Sequence, residues 1–78
     1  MKKVERLKEG DRVVGNLIPK AGTVIATGTY PAVARYDVSG AMKESIQLKH
    51  VPSSAWCVAV RHQNGAVAVY PRDEVWKA

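Results

Sequence analysis

Asn64-Gly65 stands between two short apolar runs, AWCVAVRHQ before it and AVAVYP after it. Both residues accept positive φ, as a two-residue type I′ turn requires. The last third of the chain therefore reads as a β-hairpin. A two-residue turn would set Gln63 opposite Ala66, His62 opposite Val67, Arg61 opposite Ala68, Val60 opposite Val69 and Ala59 opposite Tyr70. Residues opposed across a hairpin share a face. One predicted face is Val58, Val60, His62, Val67 and Val69, β-branched and suited to a core. The other is Cys57, Ala59, Arg61, Gln63, Ala66, Ala68 and Tyr70. A solvated face would carry more Lys, Glu and Thr, so the small residues at its centre imply a cover. Another part of the chain, a second subunit and a ligand are all open as that cover.

The rest of the chain is punctuated in the same way. Gly and Pro recur at short intervals, Val and Ala dominate the apolar residues, and helical periodicity is nearly absent. Short strands separated by turn signals predict an all-β sandwich or barrel. LKEGDRVVG reads as a turn entering a first strand at about Asp11 to Asn16, and IPKAG as a Pro/Gly loop. GTVIATG alternates Thr23, Ile25 and Thr27 against Val24 and Ala26, the period of a strand. PAVARYDV is expected as a third strand opened by Pro31. ESIQLKHV alternates Ile46 and Leu48 against Gln47 and Lys49 and is expected as a strand, with a one-turn helix over Ala41 to Ser45 as the competitor. Val75 and Trp76 are left for a last strand. The expected fold is one domain over residues 1–78, a small SH3-like barrel of five to six short antiparallel strands.

A chain of this length buries only about 60% of its unfolded surface. Cys57 is the only cysteine, so an intrachain disulfide is excluded. A lone cysteine suits a reducing compartment, and no signal-like or membrane-spanning apolar run is present. A cytoplasmic protein is expected, with association as its remaining stabiliser. The net charge of +5 permits a nucleic-acid or small anionic partner. The charge is scattered, however, and Glu5, Glu9 and Asp11 interrupt the basic front.

From Ala55 to the end, AWCVAVRHQNGAVAVYPRDEVWKA resembles the type II dihydrofolate reductases, the small trimethoprim-insensitive enzymes carried on plasmids and integrons. The shared features are Trp56, Val58, Gly65, Val67, Tyr70-Pro71 and Val75. GDRV and GTVIATG resemble that family's first two strands, so the resemblance covers about half the chain. The segment from about Tyr30 to Ser54 has no counterpart there. The resemblance implies an SH3-like barrel from a mobile-element context, such as an integron cassette. In that family a tetramer encloses one pore where folate and NADPH meet. The lining strand is Val-Gln-Ile-Tyr, helped by a basic residue from the first strand. By position the Tyr falls on Tyr70, the Ile on Val69, the Gln on Ala68 and the basic residue near Gly15. Alanine cannot make the glutamine's hydrogen bonds, so no dihydrofolate reductase activity is expected. KEGDRVVGNLIPKAGTVIATG also resembles the KOW-type element of ribosomal and transcription-elongation proteins, which implies contact with RNA or protein.

Catalytic constellations are weak. Cys57, His50 and His62 lack metal-ligand spacing, and no metal is expected. His62 reads as a rim residue near the turn, and His50 as a strand-end surface residue. Cys57 reads as a buried small hydrophobe. Ser39, Ser45, Ser53 and Ser54 have no base at a diagnostic spacing, and no Gly-rich phosphate loop occurs. Trp56 and Trp76 are expected in the core of a protein without Phe. Tyr36 and Tyr70 suit a core edge or a ligand surface equally.

The leading expectation is a non-enzymatic, homo-oligomeric binding module with no cofactor. Its ligand would lie near the C-terminal hairpin, against Arg61, Ala68, Val69, Tyr70 and Arg72. One alternative is a KOW-like nucleic-acid-binding barrel using Lys20, Arg35, Tyr36, Arg61 and Arg72. Another is a pterin- or NADPH-binding protein of reductase descent.

Overall fold

A computed structural model describes residues 7–16, 20–50, 52 and 54–78. Its elements in chain order are β1 (Arg12–Gly15), β2 (Ala21–Thr29), α1 (Tyr30–Val33), a 3-10 turn (Ala34–Tyr36), α2 (Ala41–Lys49), β3 (Trp56–Arg61), β4 (Val67–Pro71), a second 3-10 turn (Arg72–Glu74) and β5 (Val75–Lys77). The strands form one five-stranded antiparallel sheet in the order β4-β3-β2-β1-β5. The domain is thus mostly β, with helical structure in its middle segment. Ile18 and Pro19 of the expected loop, and Ser53, lie outside the described residues.

The first turn forms as read. Lys8 and Asp11 close it through two hydrogen bonds, and Gly10 takes a φ of 94°. β2 then runs nine residues, with a register shift between Val24 and Ala26. β4 and β5 are the two edges of the sheet, yet only Arg72–Glu74 separates them in sequence. Strands lie about 4.8 Å apart, so the two edges of a flat sheet would be about 19 Å apart. A 3-10 turn rising about 2 Å per residue cannot cover that. The sheet must curl to bring β4 and β5 together.

The hairpin register departs from expectation by one residue. Val60 opposes Ala68, Ala59 opposes Val69 and Val58 opposes Tyr70. The loop holds three residues, Gln63 to Gly65. Gly65 N–H donates to the His62 carbonyl at 2.9 Å and His62 N–H to the Ala66 carbonyl at 2.8 Å. Gly65 alone takes positive φ, 87°. This is the three-residue hairpin, in which a left-handed residue follows a type I turn. Asn64 contributes its side chain, which accepts from Ala66 N–H at 3.0 Å. A one-residue slip moves every β4 side chain to the other face. Ala68 and Tyr70 therefore share a face with Val58 and Val60, while Val67 and Val69 join Cys57, Ala59 and Arg61.

Both faces carry a buried cluster. On the inner face Leu7, Val13, Val24, Val58, Val60 and Val75 form one apolar cluster, with Tyr70 packed against it. On the outer face Cys57, Ala59 and Val69 pack with Val33 and Met42. The cover over Cys57 and Ala59 is the chain's own middle segment. The bare apolar face that argued for an oligomer is therefore already covered within one chain.

That segment is helical where strands were expected. Pro31 lies in the first turn of α1. Its fixed φ suits that place as well as a strand start. In α2, Met42 is buried and Ser45 and Ile46 are half-buried, the i, i+3, i+4 stripe of a helix. Leu48, which completed the apparent strand alternation, is 70% exposed. Asp37 holds the segment together. Its carboxylate accepts from the N–H groups of Met42 (3.2 Å) and Lys43 (3.0 Å) at the start of α2, and from the Tyr30 hydroxyl (2.8 Å). That hydrogen bond, with burial and the carboxylate's charge, holds the Tyr30 phenol above its ordinary value. α2 ends at His50, a non-glycine residue with φ 54°.

Candidate functional site

β4 and the Arg72–Glu74 turn on one side, and α2 on the other, enclose a groove of ≈ 740 Å³. Its floor is the edge strand β4 at Ala68, Val69 and Tyr70. Met42, Ser45 and Lys49 form the helical wall, and Trp56 and Arg72 also line it. The lining joins apolar surface to a few polar and charged groups, the usual make-up of a ligand site.

Four of the five residues expected at a ligand site, Ala68, Val69, Tyr70 and Arg72, meet here. Arg61 does not. It is exposed on the outer face near the far end of the hairpin, opposite Val67 and Thr23. The residues expected for nucleic acid are spread over separate elements. Arg35 lies over the Tyr36 ring at 5.5 Å, within the covering segment, and Tyr36 packs at the edge of the outer cluster. Lys20 is exposed just before β2.

Trp56 was expected in the core, yet it lines the groove. It is 51% exposed, and Trp76 is 40% exposed, so neither fills the core. Valine does so instead, because a thin curled sheet leaves no room inside for two indoles. The signal was positional: Trp56 begins its strand, where a side chain can turn outward.

His62 is not a rim residue but 3% exposed. Its Nδ1 lies 2.9 Å from the Ala21 carbonyl and its Nε2 lies 2.8 Å from the Tyr70 hydroxyl. A carbonyl only accepts, so Nδ1 carries the proton. In the neutral ring Nε2 then accepts from the Tyr70 O–H. The two rings meet edge to face, 5.9 Å between centroids. His62 thus anchors the tyrosine at the groove floor to β2.

Cys57 is fully buried and its thiol donates to the Ala55 carbonyl at 3.5 Å. Burial, then the charge on Asp37, pushes the thiol up, away from the thiolate a nucleophile needs. Among the described residues no group of three His, Cys, Asp or Glu is placed to hold a metal ion. Among the described residues no helix is long and apolar enough to cross a membrane.

No protein-family model matches the chain, and no curated protein or solved structure is significantly similar to it.

Proposed function

We propose that this chain is a non-enzymatic binding module of SH3-like barrel form. Its ligand lies in the groove between α2 and β4. The curl imposed by the Arg72–Glu74 turn, and the return of β5 to pair with β1, support the barrel reading. The reductase-like hairpin adds a mobile-element origin to it. The observation that carries the binding reading is the convergence of Ala68, Val69, Tyr70 and Arg72 with a half-exposed indole in one groove. An indole left in water beside an apolar floor is poised to stack. Lys49 and Arg72 add positive charge at the margin. The ligand class that fits is a planar, partly apolar molecule bearing an acidic group.

The non-enzymatic reading rests on the chemistry present. Ala68 stands where the reductase lineage has its hydrogen-bonding glutamine. Cys57 is buried as a thiol, and both ring nitrogens of His62 are engaged by Ala21 and Tyr70.

Trp76→Phe leaves Trp56 as the single indole reporter. Titrating this variant with folate, NADPH and anilinonaphthalene sulfonate is expected to quench Trp56 saturably with at least one of them. Ser45→Phe, which fills the groove from the helical wall, is expected to weaken that response about tenfold or more, the equivalent of about 1.4 kcal/mol. No quenching by any of the three, or quenching indifferent to Ser45→Phe, contradicts the assignment.

A further inference from the structure

Among the described residues, the helical cover of the outer face lies over Cys57, Ala59 and Val69. Beyond Ala59 the same face continues to Arg61, opposite Thr23 on β2, which is in turn opposite Arg12 on β1. Arg12, Thr23 and Arg61 therefore form one row across three adjacent strands. The two arginine backbones stand about 10 Å apart at ordinary strand spacing, and their side chains are long enough to meet above Thr23. A small cleft of ≈ 190 Å³ lies there, lined by Arg12, Thr23, Arg61 and Gln63 with Ala21, Gly22 and His62.

Among the described residues no acid lines this cleft. Asp11 is adjacent to Arg12, but its carboxylate accepts the Lys8 N–H within the turn. Strand alternation also turns neighbouring side chains to opposite faces. Among the described residues neither guanidinium has an ion-pair or side-chain hydrogen-bond partner. Lys20, one residue before Ala21, adds a third positive charge nearby. Like charges on one face of a sheet repel and cost stability. An anion seated between them converts that cost into charge-assisted hydrogen bonds, and guanidinium forks match phosphate oxygens two at a time. The Thr23 hydroxyl and the Gln63 amide are further donors in the same cleft.

We propose that the Arg12–Thr23–Arg61 row is a phosphate-binding site, separate from the groove beneath α2. It binds a phosphate group held by both arginines over Thr23. This assignment does not depend on the groove, because the two sites share no lining residue.

Inorganic phosphate and a short single-stranded oligothymidylate are titrated separately into the protein, and the Thr23, Arg12 and Arg61 amide and guanidinium resonances are followed. Both probes are expected to shift these resonances saturably. Arg12→Gln and Arg61→Gln are each expected to weaken binding about tenfold, without lowering the melting temperature, because both side chains are exposed and each change relieves like-charge repulsion. The source of the phosphate follows from a comparison of the arms. Tighter oligonucleotide binding, with a salt slope that falls by about 0.7 for each phosphate contact removed, identifies a nucleic-acid backbone. Equal affinity for the two probes identifies a free phosphate group. If neither probe moves these resonances, or if the double variant Arg12→Gln/Arg61→Gln binds as the wild type does, the site is refuted.

Discussion

Gly15→Ala is expected to lower the melting temperature by on the order of 15 °C. Gly15 ends β1 at φ 149°, and a Cβ there would meet the backbone carbonyl of Glu74. That carbonyl also accepts the Asn16 N–H at 3.0 Å, so the contact fastens β1 to the turn that leads into β5. Backbone cannot swing aside as a flexible side chain can. The methyl group must part the two segments, at a cost of about 3 kcal/mol by the measure of overpacked sites and disfavoured φ. A domain of this size holds only about 4–12 kcal/mol in total, and each kcal/mol moves its melting point by about 4–8 °C. Gly10→Ala is the control. Its φ is also positive, but a Cβ there meets nothing within 4 Å, so its cost is only the backbone strain. Equal melting points for the two variants would show that the close approach at Gly15 carries no energy.

Asp37→Ala is expected to cost about 2–3 kcal/mol and to loosen α2 from the sheet. One carboxylate serves two N–H groups of the helix start and the Tyr30 hydroxyl. Loss of a helix cap costs about 1 kcal/mol, and leaving half-buried donors unpaired adds to it. The variant also tests the coupling to Tyr30. A phenol whose folded value is raised stabilises the fold fully below the unfolded value of about 10. That contribution is lost as pH rises through the folded value. Alkaline stability should therefore fall more shallowly in Asp37→Ala, and its Tyr30 should titrate nearer the ordinary phenol. An unchanged Tyr30 titration would sink the assigned cause. Because α2 is one wall of the groove, the same variant should also lose probe binding there.

The strands were the most legible part of the chain. The alternation in GTVIATG, the apolar runs flanking Asn64-Gly65 and the residual Val75 all became strands. The faces were harder to read. Asn-Gly suits a two-residue turn, but glycine in a three-residue loop serves equally well, and the difference of one residue reverses β4. Nothing local distinguishes the two. The middle segment misled for a similar reason. Pro31 fits a strand start and a helix start, and Ile46 with Leu48 makes an alternation that burial does not honour. Only the need to cover Cys57 and Ala59 chooses the helix, and that is a tertiary fact.

The candidate site was legible in part. Ala68, Val69, Tyr70 and Arg72 were found because the hairpin they follow is strongly signalled. Arg61 was grouped with them through the misplaced register, and the observed pairing sets it beside Thr23 and Arg12 instead. Trp56 was assigned to the interior because a protein without Phe was expected to need its indoles there. His62 became an anchor for Tyr70 through a carbonyl 41 residues away in sequence, a contact that no local pattern announces.

The account depends on the middle segment of one chain lying over the outer face of its own sheet, since that seating both covers Ala59 and makes the groove. Methyl contacts measured by isotope-filtered NMR, on a mixture of labelled and unlabelled protein, test this directly. The expected result is intramolecular proximity of the Met42 methyl to the methyls of Ala59 and Val69, independent of protein concentration. Contacts found only between different molecules, or no contact from Met42 to either residue, would contradict it.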